Sequence, residues 1–231
     1  MNDGLMHAHT TTDIKFLATA DKGEVSAILL RPAHATHLLV LGHGAGSNMR
    51  SPMLANIATS LADAAIATFR YNFPYSEHGR GRDPNPVCAA TARSACAAAR
   101  KTAPDLALLA GGHSFGGRMT STAASESPID GVSGLVFFAF PLHPPGRPGT
   151  HRAEHLFKID IPMLFLTGTR DEFATGDLLP GVVKQLGKRA SLYLVDTADH
   201  GFKVLKRSRA GQEDVFAELA RVTREWIDQG M

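Results

Sequence analysis

The chain has 231 residues, 44% of them hydrophobic, and a formal net charge of +2 at pH 7. That length and apolar content suit a single globular domain over residues 1–231, able to bury roughly 70% of its unfolded surface. The near-neutral balance carries no concentrated basic stripe for a nucleic-acid partner, and no apolar run approaches the ~20 residues of a membrane span.

The segment Met1–His7 has neither a basic n-region nor an apolar h-region, so no secretory signal is expected there. Glu24–Leu30 reads as an early strand closing at Arg31-Pro32. His37–Leu41 is an apolar run that ends in Gly42-His43-Gly44-Ala45-Gly46. Met53–Ala65 places Leu54, Ile57, Leu61 and Ala65 at helical spacing, and Ile66–Tyr71 follows as a strand. Pro86–Lys101 is alanine-rich and helical, with its proline suited to the first turn.

Cys88 and Cys96, the chain's two cysteines, fall in that helix, roughly 12 Å apart along it. A disulfide needs Cα atoms within about 7 Å, so both are expected as thiols, in keeping with a cytoplasmic setting. Leu106–Ala110, Gly134–Phe140, Pro162–Thr167 and Ala190–Val195 read as buried strands, and Val215–Ile227 as an amphipathic closing helix. The densest basic stretch, Lys203–Arg209 with Lys206 and Arg207, reads as solvated surface. Continuously apolar strands separated by helices predict an α/β fold with a parallel sheet covered on both faces. Ligands in such sheets bind beyond the carboxyl ends of the strands.

Chemistry concentrates at Gly112-His113-Ser114-Phe115-Gly116, between the strand at Leu106–Ala110 and the helical stretch Arg118–Ala124. Strand, Gly-x-Ser-x-Gly, then helix is the pattern of a nucleophile elbow, in which a sharp turn lifts the serine hydroxyl above the sheet. A serine hydroxyl needs a base to take its proton and an acid to orient that base. In this topology the chain order is serine, acid, histidine. Of His143, His151, His155 and His200, only His200 follows the last strand, in Ala198-Asp199-His200-Gly201-Phe202. His151 and His155 read as surface histidines.

The acid falls after the preceding strand, in Gly168-Thr169-Arg170-Asp171-Glu172, and Asp171 is the expected partner. Asp199 adjoins His200 and is a poor orienter, because neighbouring side chains of a loop diverge. The separations are 57 residues from Ser114 to Asp171 and 29 from Asp171 to His200, room for about one helix–strand unit in the second interval.

A tetrahedral intermediate needs two N–H donors. One is expected from Phe115, the residue after the nucleophile, and the other from the small-residue loop at Ala45, with Gly44 as the alternative. The expected substrate-binding residues are Gly44, His43, Asn72 and His143. For His43 a strut role within the loop competes with that reading, and for His143 a structural role does. No metal ligand set is expected. Gly42-His43-Gly44-Ala45-Gly46 also comes near a dinucleotide fingerprint, and Arg70 at the end of the next strand could fit a 2′-phosphate. Its third glycine falls one place early, and an NADP reading leaves Ser114, Asp171 and His200 unexplained.

With these residues in place, the chain resembles the α/β-hydrolase superfamily, and more narrowly its small dienelactone-hydrolase-like members, including the testis-expressed and histone-acetyltransferase-complex relatives. The resemblance is carried by Gly42–Gly46, Arg70–Pro74, Gly111–Arg118, Phe140–Pro145 and Gly168–Asp171. It implies an eight-stranded, mostly parallel sheet and Ser-Asp-His catalysis without a cofactor. Dienelactone hydrolases proper use a cysteine nucleophile, so their substrate does not carry over.

The stretch Pro141–Ile161, where such enzymes carry a lid, is too short and too polar for a helical one. An open site for small esters follows, in a monomer or homodimer. A non-catalytic scaffold and a peptidase or amide hydrolase are the competing readings. Arg80, Arg82 and Arg118 could attract an anionic acyl group. The plainer account makes the first two surface charge and Arg118 a helix-start contact.

Overall fold

The computed structural model describes residues 9–205, 207, 209 and 211–231. Eight strands form one sheet: β1 His9–Thr19, β2 Gly23–Pro32, β3 His37–Gly42, β4 Ile66–Tyr71, β5 Ala107–His113, β6 Val132–Phe138, β7 Met163–Gly168 and β8 Ala190–Val195. Their spatial order is β1-β2-β4-β3-β5-β6-β7-β8. The pairings β1–β2 and β2–β4 are antiparallel, and all the others are parallel.

The continuous apolar runs have a simple cause. Side chains alternate across a strand, and here both faces are covered. Leu38 and Val40 of β3 enter one core, while Leu39 and Leu41 enter the other. In β6, Leu135 and Phe137 divide from Val136 and Phe138 in the same way. The first core is closed by α3 (Asn85–Thr102), α4 (Phe115–Glu126) and α5 (Leu178–Leu186), the second by α1 (Pro52–Asp63) and α6 (Val215–Asp228). Asp214 caps α6, its side chain accepting from the N–H of Phe216 at 2.9 Å and of Ala217 at 3.3 Å. Among the described residues no helix is long and apolar enough to cross a membrane.

Three differences from the sequence reading bear on the fold. Strand β1 was not expected. Its outer half, His9–Asp13, is exposed, and it holds the sheet edge through Phe16 and Ala18. The short α2 (Pro74–Glu77) was not expected either, whereas α5 fills the room left for a helix between Asp171 and His200. Arg209 is buried and ion-paired with Glu218 of α6, whose other oxygen accepts from the Tyr193 hydroxyl at 2.7 Å, so this part of the basic stretch is packed rather than solvated. Lys206 and the Met1–His7 segment lie outside the described residues. Between β6 and β7 the chain forms no α-helix, only a 3-10 helix at His151–Lys158, which packs on α4 and leaves no lid over the strand ends.

Candidate active site

The sheet order brings distant loops together. β3 and β5 are neighbours with Gly42 opposite Gly112, so the loop after β3 lies beside the turn after β5. β7 and β8 pair with Gly168 opposite Val195. Beyond that pair, the Thr169 N–H bonds the Val195 carbonyl at 3.0 Å and the Arg170 N–H bonds the Ala198 carbonyl at 2.9 Å, tying the Asp171 and His200 loops to each other.

Ser114 sits between β5 and α4 with φ 50° and ψ −114°. That left-handed conformation costs a non-glycine residue about 1–3 kcal/mol and persists only where its surroundings enforce it. The surroundings are visible here. Gly112 and Gly116 press against the Gly42 backbone, where a Cβ on either would collide. The Ser114 N–H donates to Phe138 O at 2.9 Å, and its carbonyl accepts from the Arg118 N–H at 3.1 Å. The hydroxyl is thereby aimed out of the turn rather than into the helix.

His200 Nε2 lies 2.8 Å from Ser114 Oγ. On the other side of the ring, Nδ1 lies 2.9 Å from both oxygens of Asp171. The Asp171 side chain is fully buried, and Oδ1 also accepts from the Phe173 N–H at 2.8 Å. A carboxylate facing Nδ1 fixes the proton there and leaves the Nε2 lone pair toward the hydroxyl. The imidazole plane is held by Phe173, stacked at 4.1 Å between centroids, and by the His113 ring at 5.2 Å. Asp199 takes no part: its Oδ1 accepts from the N–H groups of Gly201 and Lys203, both at 2.9 Å, which shapes the turn that presents His200.

His113 was singled out only as part of the motif, yet it supports the same turn. Its Nε2 donates to the His200 carbonyl at 3.0 Å. Burial pushes this imidazole down to about 4, so it is neutral at pH 7. Its Nδ1 is buried without a partner among the described residues, close to Gly44, where a Cβ would come within 3.1 Å. No sequence signal distinguishes this histidine from the variable position of Gly-x-Ser-x-Gly.

The N–H groups of Phe115 and Ala45 both lack an acceptor in the chain among the described residues, and the Ala45 carbonyl is pinned by the Tyr75 hydroxyl at 2.9 Å. Gly44 lies against His113 and Ser114.

Three of the expected substrate-binding side chains are placed differently. His43 is fully buried. Its Nδ1 donates to Gly44 O at 2.8 Å and its Nε2 accepts from Phe73 N–H at 3.2 Å, while burial lowers its pKa to about 4. Both ring nitrogens are spent on holding the loop. Asn72 accepts from Met49 N–H at 2.9 Å and donates to Glu77 at 2.7 Å, joining two loops rather than facing a ligand. His143 is fully buried, with Nδ1 donating to Pro144 O at 2.9 Å and Nε2 accepting from the Thr175 N–H at 3.1 Å.

His155 is not at the surface. It is half-buried, its Nε2 lies 2.7 Å from Ser121 Oγ of α4, and burial pushes it down to about 4. Arg70 is buried beneath the Met49 carbonyl, at 3.4 Å, and is not free to take a phosphate.

Residues 35–228 match the alpha/beta hydrolase domain family. The chain belongs to that family. This α/β hydrolase is similar in fold to the dienelactone hydrolase of Anabaena variabilis, at TM-score 0.72 and 19% identity over 96% of this chain and 99% of that one. It is also similar to a Xanthomonas campestris a/b serine hydrolase without lid, at TM-score 0.71 and 16% identity over 96% and 95% of the two chains. Est1E from Butyrivibrio proteoclasticus matches at TM-score 0.70 and 15% identity, over 94% and 98%. The Xanthomonas campestris structure is described as lacking a lid, and this chain forms no α-helix between β6 and β7.

Proposed function

We propose that this single-domain α/β hydrolase is a cytoplasmic serine esterase that cleaves small carboxylic esters through an acyl-enzyme. One observation carries the reading: a single imidazole bridges Ser114 Oγ at 2.8 Å and the buried Asp171 carboxylate at 2.9 Å. That arrangement has little purpose in a scaffold. A half-buried serine at left-handed φ, with a base on its hydroxyl and an acid behind the base, is built for nucleophilic attack.

In the first half-reaction Ser114 Oγ attacks the ester carbonyl carbon while its proton passes to His200 Nε2. The carbonyl electron pair moves onto oxygen, held by the Phe115 and Ala45 N–H groups. Asp171 stabilises the imidazolium through Nδ1–H. The intermediate collapses, the C–O bond to the alcohol breaks, and His200 returns the proton to the departing oxygen. Water repeats the sequence on the acyl-enzyme, releasing the acid and restoring Ser114. The helix dipole of α4, whose first residue is Phe115, adds positive potential where the oxyanion forms. Both cysteines are free and buried, which accords with a reducing compartment.

Ser114→Ala is expected to lower 4-nitrophenyl butyrate turnover by about 10⁴-fold or more while the circular dichroism and melting temperature stay near those of the parent. Turnover that survives in this folded variant contradicts the reading.

A further inference from the structure

Ser114 has two flanks. The bonded partners on one side are Asp171 and His200, from the loops after β7 and β8. On the other side lie the loops after β3 and β4, because those strands stand on the opposite side of β5 in the sheet. That second flank collects positive charge. Arg82 and Arg118 both place their guanidinium carbon over the Phe115 ring, at 5.2 and 5.8 Å from its centroid. Arg152, from the 3-10 helix after β6, is near enough to repel both: burial pushes the Arg118 guanidinium down, and repulsion from Arg152 and Arg82 adds to the effect. The three remain cationic at neutral pH, since guanidinium is far too basic to lose its proton there.

None of the three makes an ion pair among the described residues. Arg31 is matched by Asp105 and Arg221 by Glu213 and Glu225, while Arg93 and Arg170 spend their guanidinium groups on backbone carbonyls. Acids near the Arg82 loop in sequence are engaged elsewhere. Asp83 pairs with Lys22 at 3.0 Å, and Glu77 accepts from Ser26 at 2.6 Å and from Asn72 at 2.7 Å. Glu154, on Arg152's own helix, forms no ion pair among the described residues. Arg82 also lines a cleft of about 330 Å³ together with Arg80, Ser47, Ser76 and Ala45. The cations of this cleft are Arg80 and Arg82, neither ion-paired among the described residues, and Ala45, whose N–H is assigned to the oxyanion, is one of its lining residues.

We propose that this cleft takes an anionic group, a carboxylate or a phosphate, carried on the acyl part of the ester. The acyl side is assigned because the leaving alcohol must lie toward His200, which protonates it, so the acyl chain runs the opposite way, toward Phe115 and the arginines. Guanidinium binds both oxyanions through paired N–H donors. The proposal rests on the serine-hydrolase reading of Ser114.

The test compares 4-nitrophenyl hydrogen glutarate with uncharged 4-nitrophenyl pentanoate, after subtraction of the enzyme-free rates. At low ionic strength kcat/KM is expected to favour the anion by about tenfold or more, the size of a charge-assisted hydrogen bond. Added salt should reduce that ratio, and so should Arg82→Gln and Arg118→Gln, each checked for an unchanged melting temperature. Competition by glutarate against competition by inorganic phosphate tells which oxyanion the cleft holds better.

A second measurement needs no turnover. Methyl hydrogen glutarate should bind the Ser114→Ala protein more tightly than dimethyl glutarate in ligand-observed NMR titrations, and Arg82→Gln should remove the difference. Equal kcat/KM for the two esters, or equal binding of the two glutarates, overturns the proposal. Failure to cleave either ester counts against the hydrolase reading instead, and the titration still decides the cleft.

Discussion

The two flanks of Ser114 are built on opposite rules. Toward β7 and β8 the polar groups of the triad answer one another within the chain: Asp171 holds His200, His200 meets Ser114, and His113 and Phe173 hold the ring between them. Toward β3 and β4 the guanidinium groups of Arg82 and Arg118 lie over Phe115 without counter-ions. The first flank is complete without a ligand, as catalysis by preorganised groups requires. The second is complete only with one. The contrast separates rate from choice: damage to the first flank should fall on kcat for every substrate, and damage to the second on the discrimination between substrates.

The largest effect that could break this comparison is expected from Asp171→Asn. An amide in that place no longer enforces the Nδ1–H tautomer, and kcat should fall by about 10³–10⁴-fold for charged and neutral esters alike. A loss confined to one class of ester would show that the triad flank also selects. Arg82→Gln is the mirror experiment, with a smaller effect that falls on the anion preference.

A separate effect, on stability rather than turnover, concerns the buried struts. His43 and His113 are both held at about 4, chiefly by burial, below the ordinary value of 6.5. Between about 4 and 6.5 the unfolded chain binds more protons than the folded one. The stability these rings contribute is therefore fully present above 6.5, is lost as the pH falls through that window, and levels off below about 4. Each ring contributes a slope of up to about 1.4 kcal/mol per pH unit. Denaturant unfolding from pH 8 to pH 4 measures it, and a flat curve across the window would show that these rings are not buried neutral struts.

The frame of the site was legible in the sequence because it depends on order along the chain. Gly-x-Ser-x-Gly between an apolar strand and a helix, an aspartate after the next-to-last strand and a histidine after the last are one-dimensional facts, and the parallel sheet converts them into neighbours. Directions of side chains are not one-dimensional. Asn72, His43 and His143 all follow strands and sit in the expected loops. Whether each faces the cleft or the loop is decided chiefly by partners more than 20 residues away, Met49 for Asn72, Phe73 for His43 and Thr175 for His143.

Strand β1 was missed for a related reason. His9–Asp13 is polar and exposed, and its backbone is ordered by pairing with β2 rather than by an apolar pattern of its own. Arg209 was read as solvated because its partner, Glu218, lies on a helix that only folding brings over it. The arginines over Phe115 show the converse: their isolation from carboxylates is visible only in three dimensions.

The most direct test of the central claim is covalent. The protein is treated with a fluorophosphonate and its adduct located by intact-mass and peptide mass spectrometry. A single adduct is expected, on Ser114, forming in the parent and strongly slowed in His200→Ala. A folded parent that leaves Ser114 unlabelled, or that labels equally fast without His200, would contradict the account.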